Sequence, residues 1–136
     1  MSYSTIPKLL RLALNANSEI TEKIAGRVHY QQLPQKSIYP HLYIARSGRD
    51  TDGTIDGEDG IVTERYIVEL VASAFDSDLC DAVQDVLSNL ECSYEGVTVH
   101  LVDLEDVDDN YVFKSADSDA LFLHGFKIAV YFSEVG

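Results

Sequence analysis

The residues best suited to chemistry lie between Arg49 and Gly60, in the run RDTDGTIDGEDG. Asp50, Asp52, Asp56, Glu58 and Asp59 place five carboxylates within ten residues, and Gly53, Gly57 and Gly60 supply turns. Hard divalent cations take several oxygen ligands from loops of this kind, and Asp-x-Asp-Gly matches the opening of a calcium loop. The match ends there. A calcium loop of the helix-loop-helix type needs a bidentate Glu at position twelve. Counting from Asp50, that position is Ile61, and the flanking segments read as strands. The favoured reading is a solvated hairpin tip, with a calcium-responsive binding module as an alternative. Half of this stretch, fully extended, reaches ~20 Å from a sheet, far enough for Arg49 and its acidic neighbours to dock on another subunit.

Other chemistries find less support. The histidines are His29, His41, His100 and His124; no two are spaced i, i+4, and there is no Cys-x-x-Cys. Cys80 and Cys92 are the whole supply of thiols and read as packing residues. No Gly-x-Ser-x-Gly exposes a nucleophile, and the glycine-rich stretch is acidic, so it repels phosphate. Acidic pairs such as Asp108-Asp109 fall within a longer acidic run whose ordinary role is solubility. The expectation is a non-enzymatic protein with no cofactor and no metal.

Charge narrows the partners. Asp plus Glu number 23 against 10 Lys plus Arg, a net charge of −13. The cationic residues are scattered singly, so no counter-surface exists for a phosphate backbone, and tight nucleic-acid binding is not expected. Acidity of this degree repels DNA passing close by. No apolar run reaches the ~20 residues of a membrane helix. The opening Met1-Ser2-Tyr3-Ser4 shows no basic-then-apolar leader, so a cytosolic life is expected.

The elements that must position these residues read as one domain, 1–136. Ile6, Leu9, Leu10, Ala13 and Leu14 form a helical stripe, with Pro7 tolerated in the first turn. A short helix follows, with Ser18 as candidate N-cap, Ile20 and Ile24 on one side, and Gly26 as stop. Arg27 to Tyr30 reads as extended, Pro34 and Pro40 bracket a loop, and His41 to Arg46 reads as a strand. Val62 to Ala74 is a longer strand. Tyr66, Val68, Leu70 and Ala72 share one face, and Arg65, Ile67, Glu69 and Val71 the other. Leu79, Val83, Val86, Leu87 and Leu90 mark the clearest helix, capped by Asp76 or Ser77. Tyr94-Glu95-Gly96 turns the chain into a strand at Val97 to Leu101. Residues 102–119 read as an acidic connection, with Tyr111 to Phe113 a possible continuation of the strand. A last strand covers Leu121 to Phe132, with Phe126, Ile128, Val130 and Phe132 on one face and Tyr131 on the other. The fold class is α+β: an antiparallel sheet of about four to five strands, helices on one face, and a long hairpin loop at 49–60.

Several of these segments, taken in order, resemble the small phage and prophage tail-completion (tail-terminator) proteins. They are Ile24-Ala25-Gly26-Arg27-Val28-His29-Tyr30 with Leu33-Pro34-Gln35, then Tyr39-Pro40-His41-Leu42-Tyr43-Ile44, and Glu64-Arg65-Tyr66-Ile67-Val68-Glu69-Leu70. The helix Leu79 to Leu90 and the closing His124-Gly125-Phe126-Lys127-Ile128-Ala129-Val130-Tyr131-Phe132 complete the likeness, which spans about Ile6 to Phe132. The family carries no catalytic residues. The resemblance implies a ring, usually a hexamer, that caps the tail tube and joins the head–neck complex in the virion. The partners it implies are copies of the chain itself, the tail tube protein and a neck or head-completion protein. A head-completion adaptor is the structural alternative. Ring contacts would draw on the 49–60 arm and on Arg65, Ile67, Val71 and Tyr131. The chain departs from the commoner pattern in its acidity, in His29 before Tyr30 and in the acidic tip.

Overall fold

In the computed structural model, which describes residues 5–33, 38–50, 61–113 and 120–134, the chain opens with α1 (Thr5–Asn15). Ile6, Leu9, Leu10 and Leu14 form its buried stripe, and Pro7 sits in the first turn, where it removes no helical hydrogen bond. In α2 (Ser18–Ile24) the N-cap is Asn17, not Ser18. The Asn17 Oδ1 accepts from the free N–H groups of Glu19 and Ile20, at 3.0 and 3.1 Å. Ser18 is already the first helical residue and cannot reach them. The helix stops on two successive left-handed residues, Ala25 and Gly26.

α3 (Ser77–Ser88) begins at Asp76, whose Oδ1 accepts the N–H of Leu79 at 3.1 Å. The other oxygen, Oδ2, receives the Lys23 ammonium at 2.9 Å, so one carboxylate caps α3 and ties it to α2. The hydrogen bond from Lys23 holds the Asp76 carboxyl below the usual carboxylate range. A depressed folded-state pKa contributes stability that is present above about pH 4 and is lost as pH falls through the lowered value. Asp76→Ala is therefore expected to cost about 1–1.5 kcal/mol in urea unfolding at pH 7. The wild-type excess should shrink when the measurement is repeated at pH 3.

Six strands form one sheet in the order β1-β2-β3-β6-β5-β4. They are β1 (Val28–Tyr30), β2 (His41–Asp50), β3 (Val62–Ala72), β4 (Cys92–Tyr94), β5 (Val97–Phe113) and β6 (Ala120–Glu134). The class is α+β as expected, with two corrections. The strands number six because the three-residue β1 and β4 extend the edges. The sheet is also mixed, because β1 runs parallel to β2 while every other pair is antiparallel. A parallel neighbour needs a connection that returns to the starting end, which a tight hairpin cannot provide.

The largest departure is β5. The acidic segment after Leu101 is a strand, paired with β6 from Val97↔Glu134 to Phe113↔Ala120. Bulges at Val99/Leu101 and Leu104/Asp106 reset its register. They leave Val102 and Leu104 on the face of the core and turn Asp103, Asp106 and Asp108 to the opposite face. β2 is likewise longer than its apolar stretch and reaches Asp50, and β3 ends at Ala72 rather than Ala74. The β4–β5 turn uses Glu95 and Gly96, both at positive φ, as a two-residue hairpin demands.

The alternation read from β3 and β6 holds. Tyr66, Val68, Leu70, Phe126, Ile128, Val130 and Phe132 are buried and join the apolar stripes of all three helices in one cluster. The helices thus cover one face of the sheet, and no described helix lies over the other.

Candidate assembly surface

The uncovered face is built from β-alternation. The strand positions next to each core residue must point the other way. They bring Tyr43 and Ala45 of β2, Arg65, Ile67 and Glu69 of β3, Leu123, Lys127 and Tyr131 of β6, and Leu101, Asp103, Asp106 and Asp108 of β5 into one field. Its rows follow the register: Ala45, Ile67, Lys127 and Asp106 lie across one, and Tyr43, Glu69, Gly125 and Asp108 across the next.

Ion pairs frame this field. The Arg65 Nε lies 3.2 Å from Glu105, the bulged residue of β5. Lys127 Nζ lies 3.3 Å from Asp108 and 4.0 Å from Asp106. All these groups are substantially exposed, so the pairs orient side chains more than they add stability. Ile67 lies between two shallow grooves. One is lined by Ser47, Arg65, Glu105 and Lys127, the other by Glu69, Asp108, Leu123 and Lys127. Burial pushes the Glu69 carboxyl above its ordinary range. Leu101 adds an exposed apolar side chain at 55 % exposure.

Of the strand residues singled out from sequence, Arg65, Ile67 and Tyr131 are partly exposed on this face. Val71 is only 6 % exposed, so it offers a partner little surface. Beyond its three pairs with β4, the second edge of β5 has no described strand beside it. Carboxylates and bulges along that edge discourage pairing with another chain.

The root of the arm is a buried charge cluster that sequence reasoning missed. Glu64 of β3 points to the core side and is 1 % exposed. It accepts the Tyr66 hydroxyl at 2.6 Å and faces Arg46 at 3.3 Å and Arg49 at 3.5 Å. Arg49 continues to Glu134 of β6 at 3.6 Å. Burial and the Glu64 carboxylate together push the Tyr66 phenol far above its ordinary range, so it stays a donor. Arg49, assigned from sequence to the loop, is thus a strand residue bound at the base of the hairpin. The signal was present: Glu64 is two residues before Tyr66, on the apolar face of β3. The backbone of Asp50 ends β2, opposite Thr63. Asp52, Asp56, Glu58 and Asp59 lie outside the described residues. Among the described residues, no group of three or more His, Cys, Asp or Glu could hold a metal ion.

The remaining candidates are dispersed. His100 pairs with the Ser133 hydroxyl at 2.8 Å. His124 contacts Asp109 and packs edge-on against Phe126, while Phe122 stacks on it. His41 is buried. Cys80 is buried in α3, its thiol pushed up to about 11 chiefly by burial, the wrong direction for a nucleophile. Cys92 is exposed on β4 and free.

No protein-family model matches the sequence, and no curated protein does. Among solved structures, the fold is similar to that of a chain in the "Virion of native gene transfer agent (GTA) particle". The TM-score is 0.65 at 12 % sequence identity, over 97 % of this chain and 100 % of that chain. At that identity the likeness is one of fold, and it runs the length of both chains.

Proposed function

We propose that the chain is a non-enzymatic structural protein of a phage-like virion, one that caps the tail tube as a ring and joins it to the head–neck complex. The observation that carries this reading is the end-to-end fold likeness to a virion chain. The position at the head-proximal end of the tail rests on the sequence resemblance to tail-completion proteins. Assembly takes place in the host cytoplasm on this reading.

The physical requirements of a ring agree with it. A heterologous contact that closes on itself needs two different patches on each subunit. The uncovered sheet face, with Ile67, Leu101 and Tyr131 among oriented charges, supplies one. The hairpin arm, rooted through Glu64 and Arg49, supplies the other. Six chains at −13 each carry −78, so DNA crossing the lumen would meet repulsion rather than adhesion. Tube protein on one side and neck protein on the other are the implied partners.

Particles assembled without this chain test the proposal in negative stain. Over-long or headless tails are the expected result. Normal free tails beside heads that leak DNA would instead assign the chain to the head side as a completion adaptor.

A further inference from the structure

We propose that His29 and His41 form a two-histidine site for a divalent transition ion that favours imidazole, namely Zn2+, Ni2+ or Cu2+. His29 lies in β1, and His41 opens β2, its parallel neighbour. Twelve residues separate them in sequence, so no spacing rule would have paired them. In the fold their rings meet edge to face, with centroids 5.6 Å apart. A metal ~2.1 Å from one nitrogen of each ring, at a roughly tetrahedral angle, places two imidazole centroids about 5–5.5 Å apart.

Both Nε2 atoms are buried and have no hydrogen-bond partner among the described residues. His41 is only 2 % exposed, so its unpaired nitrogen carries an uncompensated desolvation cost. The tautomer of His41 follows from chemistry. Its Nδ1 lies 3.1 Å from the carbonyl oxygen of Ile38, and a carbonyl only accepts. Nδ1 therefore carries the proton, and Nε2 holds a free lone pair. A backbone carbonyl on the far nitrogen is how metal-binding histidines are commonly oriented. Tyr39 stacks on the His41 ring at 5.3 Å and fixes its plane.

The donor type, not the surrounding charge, selects the ion. Burial lowers the proton affinity of both rings, Arg27 lowers it further for both, and Arg11 does so for His29. For His41 the Ile38 carbonyl works the other way, and the neighbouring His29 ring adds to the lowering. Imidazole nitrogen suits Zn2+, Ni2+ or Cu2+ better than Ca2+ or Mg2+, which want oxygen ligands, while the guanidinium groups lower the affinity for every dication. The Arg27 guanidinium is itself held by the carbonyls of Pro40 at 3.0 Å and Lys23 at 3.3 Å. A polar groove lined by Arg11, His29, Tyr30, Gln32 and Leu33 leads to the site. With two protein ligands, water completes the coordination and the affinity is modest. The competing occupant is a single water donating to both lone pairs.

The test is titration of the untagged full-length chain with ZnCl2, NiCl2 and CuCl2 by calorimetry, with Zn2+ repeated in NMR of the imidazole nitrogens. The expected result is one equivalent bound, a Tm raised by a few degrees, and Nε2 resonances of His29 and His41 shifted while those of His100 and His124 stay still. His29→Ala should weaken binding about tenfold or more with an unchanged circular dichroism spectrum. His41→Gln, which keeps a polar group in the buried position, should do the same. Unmoved Nε2 resonances at millimolar metal, the outcome of a bridging water, would overturn the proposal. So would an affinity unchanged in both variants.

Discussion

Glu64→Ala is expected to destabilise the fold by about 3 kcal/mol in urea unfolding at pH 7. The carboxylate is almost wholly buried and has a phenol and two guanidinium groups as partners. Its removal leaves the Tyr66 hydroxyl without its acceptor and takes a buried counter-ion from Arg46 and Arg49, the latter keeping Glu134. Breaking a buried ion pair from one side costs about 3–5 kcal/mol. The two arginines are a quarter to a third exposed, so water screens part of their charge, and the lower end of that range applies. Glu64→Gln keeps an acceptor for Tyr66 and loses only the charge, so a loss of about 1–2 kcal/mol is expected. The cluster also predicts behaviour in alkali. An unfolded tyrosine loses its proton near pH 10, whereas Tyr66 in the fold keeps its proton well beyond that. Above pH 10 the unfolded state therefore binds fewer protons, and stability falls by up to about 1.4 kcal/mol per pH unit. Tyr66→Phe should lack this increment. A Glu64→Ala protein within about 1 kcal/mol of wild type would show that the cluster does not hold the ends of β2, β3 and β6 together.

The second large effect is on assembly. Ile67→Asp combined with Tyr131→Asp is expected to abolish incorporation into particles while leaving the fold intact. Both side chains are partly exposed on the uncovered face and contribute little to the core beneath it. A carboxylate at residue 67 would face Lys127, whose ammonium already serves Asp106 and Asp108, and beside Glu69 it would leave this face with one carboxylate more than its cations can pair in any contact made there. Desolvating an unpaired charge costs several kcal/mol, enough to lose a contact of ordinary strength. The check is complementation, followed by a search for the variant chain in purified particles and comparison of its thermal unfolding with wild type. Normal incorporation would move the interface off this face. A Tm lowered by more than a few degrees would mean that the variant tests folding instead.

The sequence alone determined the parts of this protein that depend on local periodicity. The stripe Ile6, Leu9, Leu10, Leu14 and the run from Leu79 to Leu87 could be satisfied only as helices with one buried face. The alternations through Tyr66 to Ala72 and Phe126 to Phe132 set which residues would be covered. β1 was legible only as an extended piece and β4 not at all, because three residues each are too few to show a period. The acidic part of β5 beyond Leu101 was hidden for a different reason. Its acidic side chains masked an alternation that its partner β6 enforces through backbone hydrogen bonds, which are indifferent to side-chain charge.

The buried cluster where β2 and β3 end was far less conspicuous in the sequence than the acidic run beside it. Glu64 lies on the apolar face of its strand, and that much was legible. Its partners were not. Arg46 and Arg49 reach it across the β2–β3 pair, and Glu134 reaches Arg49 from the far end of β6. His29 and His41 meet because β1 docks parallel to β2. Composition and periodicity specify which face a residue takes. Which distant residues share that place depends on strand order and register, and these are set when the whole sheet closes over its core.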